Sequence, residues 1–252
     1  MAASIADLCR YPVKGLNAEC LERVTLSAGE GLPGDRRFAL AHGSTAFDPE
    51  TPQWLPKTHF LMLMRDEKLA QLRASFDSES GVLTVRRAGK PVARGRITEP
   101  TGRTLIGQFF AGFMGRAARG TPHLVEAPGH MFSDAREKYV SMINLESVAD
   151  LERVMRRPVA PARFRANLYF RGAPAWSEFD WIGREIRLGD ARLKIDARID
   201  RCAATNVNPE TAERDMNVPL TLQRGFGHAD MGVYARVVEG GDIALGDAIT
   251  MA

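Results

Sequence analysis

The 252-residue chain is long enough for one large domain or two closely packed ones, and it can bury a core without disulfide or metal staples. Its 44% hydrophobic and 26% charged content belongs to a globular protein and excludes the disordered and membrane-spanning classes. The net charge of +3 comes from 34 basic and 31 acidic residues that are interspersed, which excludes the concentrated basic footprint of a nucleic-acid binder.

The N-terminus, Met1-Ala2-Ala3-Ser4-Ile5-Ala6-Asp7, has neither a basic region nor an apolar run after it, so a cytoplasmic protein with no membrane partner is expected. The first elements are short and β-like. Gly29-Glu30-Gly31-Leu32-Pro33-Gly34-Asp35 is a loop leading into the apolar run Phe38-Ala39-Leu40-Ala41. Leu72, Ala74 and Phe76 alternate with polar residues, and Val82-Leu83-Thr84-Val85 follows a five-residue connection, predicting a hairpin. Over 104–119, Leu105, Ile106, Phe109, Phe110, Phe113 and Met114 recur at helical spacing and predict an amphipathic helix bridging two lobes. Strand-like residues 140–143 precede a second helix predicted over 145–155, ahead of Pro158.

The second half returns to strands over 167–170, 185–188 and 191–199, the last alternating strictly at Ala191, Leu193, Ile195, Ala197 and Ile199. Gly189-Asp190 is expected to turn a hairpin, and 232–238 and 243–249 to close the sheet. Many short strands with two or three helices predict an α+β, predominantly β fold with a barrel. No repeat or long linker interrupts the chain, so the two lobes, residues 1–115 and 116–252, are expected to pack intimately.

Cys9, Cys20 and Cys202 show no CxxC spacing, which suggests neither a disulfide framework nor a zinc or iron–sulfur site. Cys9 and Cys20 flank Tyr11-Pro12-Val13-Lys14-Gly15 and read as packing thiols. Cys202 ends a strongly patterned strand beside Arg201, with Arg198 near. A guanidinium there favours the thiolate, the form that attacks or binds soft metals, while the competing local reading is a buried structural thiol.

Lys14 offers a point charge for a phosphate. Gly34-Asp35-Arg36-Arg37-Phe38 and Arg163-Phe164-Arg165-Ala166-Asn167 are compact arginine clusters. If the second is extended, Arg163, Arg165 and Asn167 share a face and Phe164 points into packing, giving either an anion-recognition edge or a solvated ion-pair face. Among five histidines none has metal-ligand spacing. His228, near Asp230, is a candidate proton donor. No GxxxxGK[ST] or strand-linked GxGxxG is present, so an anion site must be built from side chains.

Taken in order, Tyr11-Pro12-Val13-Lys14, Gly34-Asp35-Arg36-Arg37-Phe38, Arg163-Phe164-Arg165-Ala166-Asn167 and Arg201-Cys202-Ala203-Ala204-Thr205-Asn206-Val207-Asn208-Pro209 resemble the MOSC-domain family across nearly the whole chain, most closely its amidoxime-reducing branch. The resemblance implies a barrel-like MOSC domain packed against an N-terminal β-rich lobe, with a molybdenum–molybdopterin cofactor between them. Carried over by position, Lys14, Arg36, Arg165, Asn167 and Arg201 would hold its phosphate and pterin, and Cys202 would be both metal ligand and catalytic residue.

It further implies an oxidoreductase acting on N-oxygenated or N-hydroxylated small molecules, with electrons from a separate flavin or iron–sulfur protein. The alternative is a sulfur-carrier or cofactor-delivery protein using a Cys202 persulfide. Gly15, Ala166 and Asn208 depart from the family pattern, which has serine, proline and aspartate there.

Overall fold

The computed structural model describes residues 3–127 and 129–252. Met1 and Ala2, part of the stretch read for a leader, lie outside the described residues. Among the described residues the elements in chain order are β1 (Ala3–Arg10), β2 (Glu19–Leu21), β3 (Arg23–Leu26), β4 (Phe38–Ala41), β5 (Leu72–Asp77), β6 (Val82–Arg87), β7 (Lys90–Arg96) and helix α1 (Pro100–Met114). Then follow β8 (His123–Glu126), β9 (Val140–Asn144), α2 (Leu145–Met155), β10 (Leu168–Arg171), β11 (Glu185–Leu188), β12 (Ala191–Asp200), α3 (Val218–Phe226), β13 (Asp230–Glu239), β14 (Gly241–Ala244) and β15 (Ala248–Met251). The fold is α+β and mainly β, as the strand patterning predicts.

Seven strands close into a barrel in the order β10-β9-β13-β12-β11-β15-β1, and β1 pairs back onto β10. Closure leaves no exposed edge in that ring. The alternation seen in the sequence fills its interior: Leu193 and Ile195 of β12, Leu168 and Phe170 of β10, Met142 of β9 and Val233 of β13 are all fully buried in one cluster. Each such side chain contributes about 1.5–3 kcal/mol. Intervening residues face outward, where Ile143 and Tyr169 meet Val148 and Leu151 of α2 and Leu222 of α3.

A second core lies in the central part of the chain. Here β5, β6 and β7 form a meander, β4 pairs with β8, and α1 packs its Ile106, Phe110 and Met114 stripe against Phe38, Leu40, Leu83 and Val85. The N-terminal strand β1 belongs to the barrel rather than to this core, so the chain crosses between the two almost at once, through the Val13↔Phe38 bridge.

Several boundaries differ from the sequence reading for identifiable reasons. Helix α1 begins at Pro100, a residue suited to the first helical position, and stops where Gly115 takes φ +55. Leu105 is off its buried stripe and exposed. The strict alternation of residues 191–199 fails at Ala197, which a bulge between Ile195 and Ala197 turns to solvent. Residues 243–249 are two strands: Gly246 at φ +85 breaks them, β14 pairs with β3, and β15 joins the barrel. Helix α3 went unpredicted, although Asn217 at its N-cap, Pro219 in its first turn and Gly227 just past its end are the local signals for one.

Candidate functional site

A cavity of about 410 Å³ lies where the barrel meets the central lobe. Lys14, Arg36, Arg165, Asn167, Arg201 and Cys202, drawn from four separate stretches of sequence, all line it. Lys57, Arg163 and Arg198 bring the basic side chains to seven, against two acidic ones, Asp134 and Asp200. Such a wall suits an anionic ligand.

Cys202 sits where β12 ends and a short 3-10 turn, Ala203–Asn206, begins. The Thr205 backbone N–H and its hydroxyl both donate to the Cys202 carbonyl, at 3.1 and 2.9 Å, fixing the turn and leaving the partly exposed thiol on the cavity wall. Lys57 stands beside it. Burial lowers the Lys57 pKa, but Asp134 and then Cys202 outweigh burial and hold it above the ordinary amine value.

The arginines are fixed in two ways. Arg201 donates to the Met231 carbonyl through Nε and Nη2 and to the Phe164 carbonyl through Nη1, at 2.6–2.9 Å. Arg165 donates Nη1 to the Leu16 carbonyl at 2.6 Å and lies over the Tyr11 ring at 4.3 Å. Neither guanidinium has a carboxylate partner among the described residues, and both face the cavity with N–H groups to spare. Arg36, on the other hand, is paired with Asp35. It donates Nη2 to the Arg165 carbonyl at 2.8 Å and stacks on Tyr11 at 4.5 Å.

Lys14 is 7% exposed, and its Nζ donates to the Phe132 carbonyl at 3.0 Å and to Asp134 Oδ1 at 2.5 Å. Lys57 reaches Asp134 Oδ2 at 3.0 Å, so one carboxylate serves two ammonium groups. Burial pushes Asp134 up, yet Lys14 and Lys57 hold it well below the usual carboxylate range. Burial also depresses Lys14, against Asp134's pull. At 2.5 Å the ion pair governs this contact.

Asn167 is largely committed within the chain. Its Oδ1 accepts from the Ser141 backbone N–H and hydroxyl, its Nδ2 donates to the Cys9 carbonyl, and one amide N–H is left for the cavity. The extended reading of 163–167 is corrected. Pro161–Phe164 forms a 3-10 turn and Arg165 takes φ +52, so the strand starts only at Leu168. Pro161 sets that turn, and Arg163 is directed to Asp215 at 2.8 Å. His228 is outside the cavity lining: its Nδ1 accepts from the Asp230 backbone N–H and its ring packs on Trp176 and Phe179. Asn208 makes an Asx turn with Glu210 and Thr211 and donates to Asp215.

Sequence reasoning missed Lys57, Asp134, Tyr139 and Tyr234. The tyrosine rings stack at 5.0 Å, and Met62, Leu63, Met64 and Met131 are apolar lining residues. None lies in a block with a local signature.

Comparison with known proteins agrees with the fold. The model of the MOSC N-terminal beta barrel domain matches residues 2–115, and that of the MOSC domain matches residues 127–250. Among curated relatives, mitochondrial amidoxime-reducing component 1 of Xenopus laevis is 30% identical over 122 residues, 44% of this chain and 35% of that protein. Human mitochondrial amidoxime reducing component 2 is 25% identical over 156 residues, 56% of this chain and 45% of that protein. The aligned stretches thus span less than half the length of these relatives. Among solved structures, the YUAD protein from Bacillus subtilis superimposes with a TM-score of 0.47 at 15% identity, covering 99% of this chain and 94% of that one. The two domain models together leave only residues 116–126 and the extreme ends unmatched, and the chain belongs to the MOSC family.

Proposed function

We propose that the cavity receives a molybdopterin-type cofactor with Cys202 as protein ligand to the metal, and that the protein reduces N-oxygenated or N-hydroxylated small molecules using electrons from a separate flavin or iron–sulfur protein. The observation that carries this reading is the pair Arg165 and Arg201: two guanidiniums whose hydrogen bonds go to main-chain carbonyls and not to carboxylates, lining the same cavity as a thiol. The names of the amidoxime-reducing relatives support the reaction class.

The residues present fit that group. A phosphate suits the two uncompensated guanidiniums, a thiolate suits a soft metal, and about 410 Å³ lies within the range of cofactor sites. When bound, the cofactor supplies two-electron, oxygen-atom chemistry that no side chain here provides.

The chain's own residues do the rest. Arg165 and Arg201 bind and orient the anionic end, with Arg36 and Tyr11 stiffening Arg165 from below. Asp134 pairs with both Lys14 and Lys57 and holds the Lys57 pKa up, and Lys57 offers an N–H beside the Cys202 sulfur. Met62, Met64 and Met131 add apolar lining to the cavity.

The test is to measure molybdenum and pterin in protein made by a host with intact cofactor synthesis. Wild type should carry both near one per chain, and Cys202→Ser should lose most of the metal. Metal-free wild-type protein from that host would overturn the proposal, and a persulfide on Cys202 in such protein would point to sulfur carriage instead.

A further inference from the structure

The sequence reading of Cys9 and Cys20 as packing thiols holds for Cys9, which is buried, but is corrected for Cys20, which is exposed on the short strand β2; the fold sets the two directly opposite one another on β1 and β2. Which kind of opposition matters. The Cys9 backbone N–H donates to the Asn167 carbonyl at 2.7 Å, and the Cys9 carbonyl accepts from Asn167 Nδ2 at 3.2 Å. Both main-chain groups of Cys9 therefore point toward β10 and away from β2. In an antiparallel ladder that makes Cys9 and Cys20 a non-hydrogen-bonded pair, the narrow kind, with Cα atoms about 4.5 Å apart and side chains on one face. A disulfide spans Cα separations of about 4.4–6.8 Å, so this pair can be bridged without moving the backbone. The Arg10–Glu19 ion pair, at 2.8 Å on the next rung, fixes the register.

We propose that Cys9 and Cys20 form a reversible cross-strand disulfide, a redox-modified site separate from the Cys202 cavity, with low-molecular-weight disulfides such as oxidised glutathione as its oxidant. The two thiols have different roles. Cys20 is exposed and meets the oxidant first, whereas Cys9 is buried. Burial, followed by the Cys20 thiol hydrogen-bonded beside it, pushes Cys9 up to about 12, which makes it a poor first nucleophile in solution.

The Cys20 thiolate attacks one sulfur of glutathione disulfide, forming a Cys20–glutathione mixed disulfide and releasing one glutathione thiolate. Cys9, losing its proton to water, attacks the Cys20 sulfur and expels the second glutathione thiolate. Two protein thiols are oxidised and one glutathione disulfide is reduced to two thiols. The bridge closes on the strand whose chain runs on to Lys14 of the cavity, while Cys9's main chain braces Asn167.

The full chain is incubated with oxidised glutathione under native conditions, alkylated, digested and analysed by mass spectrometry. A Cys9–Cys20 linked peptide, lighter by two hydrogens and restored by dithiothreitol, is expected, while Cys202, with no thiol opposite it, takes at most a glutathione adduct. In Cys9→Ser, Cys20 should stop at the mixed disulfide. Cys20→Ser, at an exposed position that leaves folding intact, should leave Cys9 reduced. A stable glutathione adduct on Cys20 in wild type with Cys9 still free, or a Cys20–Cys20 bridge between chains, overturns the proposal.

Discussion

The cations around the cavity fall into two groups that are neutralised in different ways. Lys14 and Lys57 share Asp134, Arg36 is paired with Asp35, Arg163 with Asp215, and Arg198 with Asp230. Arg165 and Arg201 have no carboxylate among the described residues and donate their hydrogen bonds to the carbonyls of Leu16, Phe164 and Met231. A carboxylate partner cancels a charge and ties its carrier into the fold. A carbonyl fixes orientation through a dipole and leaves the full charge available to a ligand. On the proposed function, the first group stabilises the fold and the second is the one that meets the cofactor.

The largest effect expected from that contrast is on ligand retention. Replacing both Arg165 and Arg201 by Met should weaken cofactor binding by about 4 kcal/mol, roughly a thousandfold, from the loss of charge-assisted hydrogen bonds. Equilibrium dialysis of pterin measures it. The thermal midpoint of the cofactor-free protein should stay level or rise, because an uncompensated buried charge is a cost. A collapse of that midpoint would break the contrast.

Arg163→Met should do the reverse. It removes the buried cation from Asp215, leaving the carboxylate only the exposed Arg157 and Asn208, and costs about 2–3 kcal/mol in urea unfolding, while leaving pterin retention nearly intact.

Asp134→Asn sharpens the comparison through pH. Lys14 and Lys57 hold the Asp134 pKa in the folded state below its unfolded value of about 3.9, so its stabilisation is fully present above that pH. It is lost only as pH falls through the depressed folded value. The variant should therefore be less stable than wild type by about 1–2 kcal/mol, by a constant margin from pH 5 to 8, with the gap narrowing only below about pH 4.

The smallest effect lies away from the cavity. Glu178 is fully buried with no cation, and accepts from Ser147 and Asn144. Burial raises its pKa against those hydrogen bonds. The folded state thus holds a proton that the unfolded state releases, and stability falls as pH rises above about 4.3. Glu178→Gln should remove that slope, so its advantage over wild type should grow as pH rises from about 4 to 7 in pH-dependent thermal melts.

Much of the barrel was legible because its strands alternate and its turns carry their own chemistry. Helix α2 and strands β4 and β11 fall where periodicity puts them, and Gly189, at φ +54, turns β11 into β12 as its sequence predicts. Ala197 was not legible, because a bulge depends on how the neighbouring strand pairs. Lys57 and Asp134 were invisible for a related reason. They lie 77 residues apart and meet only after folding.

By itself, the sequence determined where strands and helices can form and which side chains can carry charge or a thiolate, since period and residue chemistry are local properties. Only the tertiary structure decided which of those charges stay uncompensated and which thiols face each other. Arg165 finds its anchor 149 residues away at Leu16, and Cys9 meets Cys20 because strands β1 and β2 pair in one register. Pairing and counter-charge are set by long-range packing, and a residue's neighbours along the chain do not encode them.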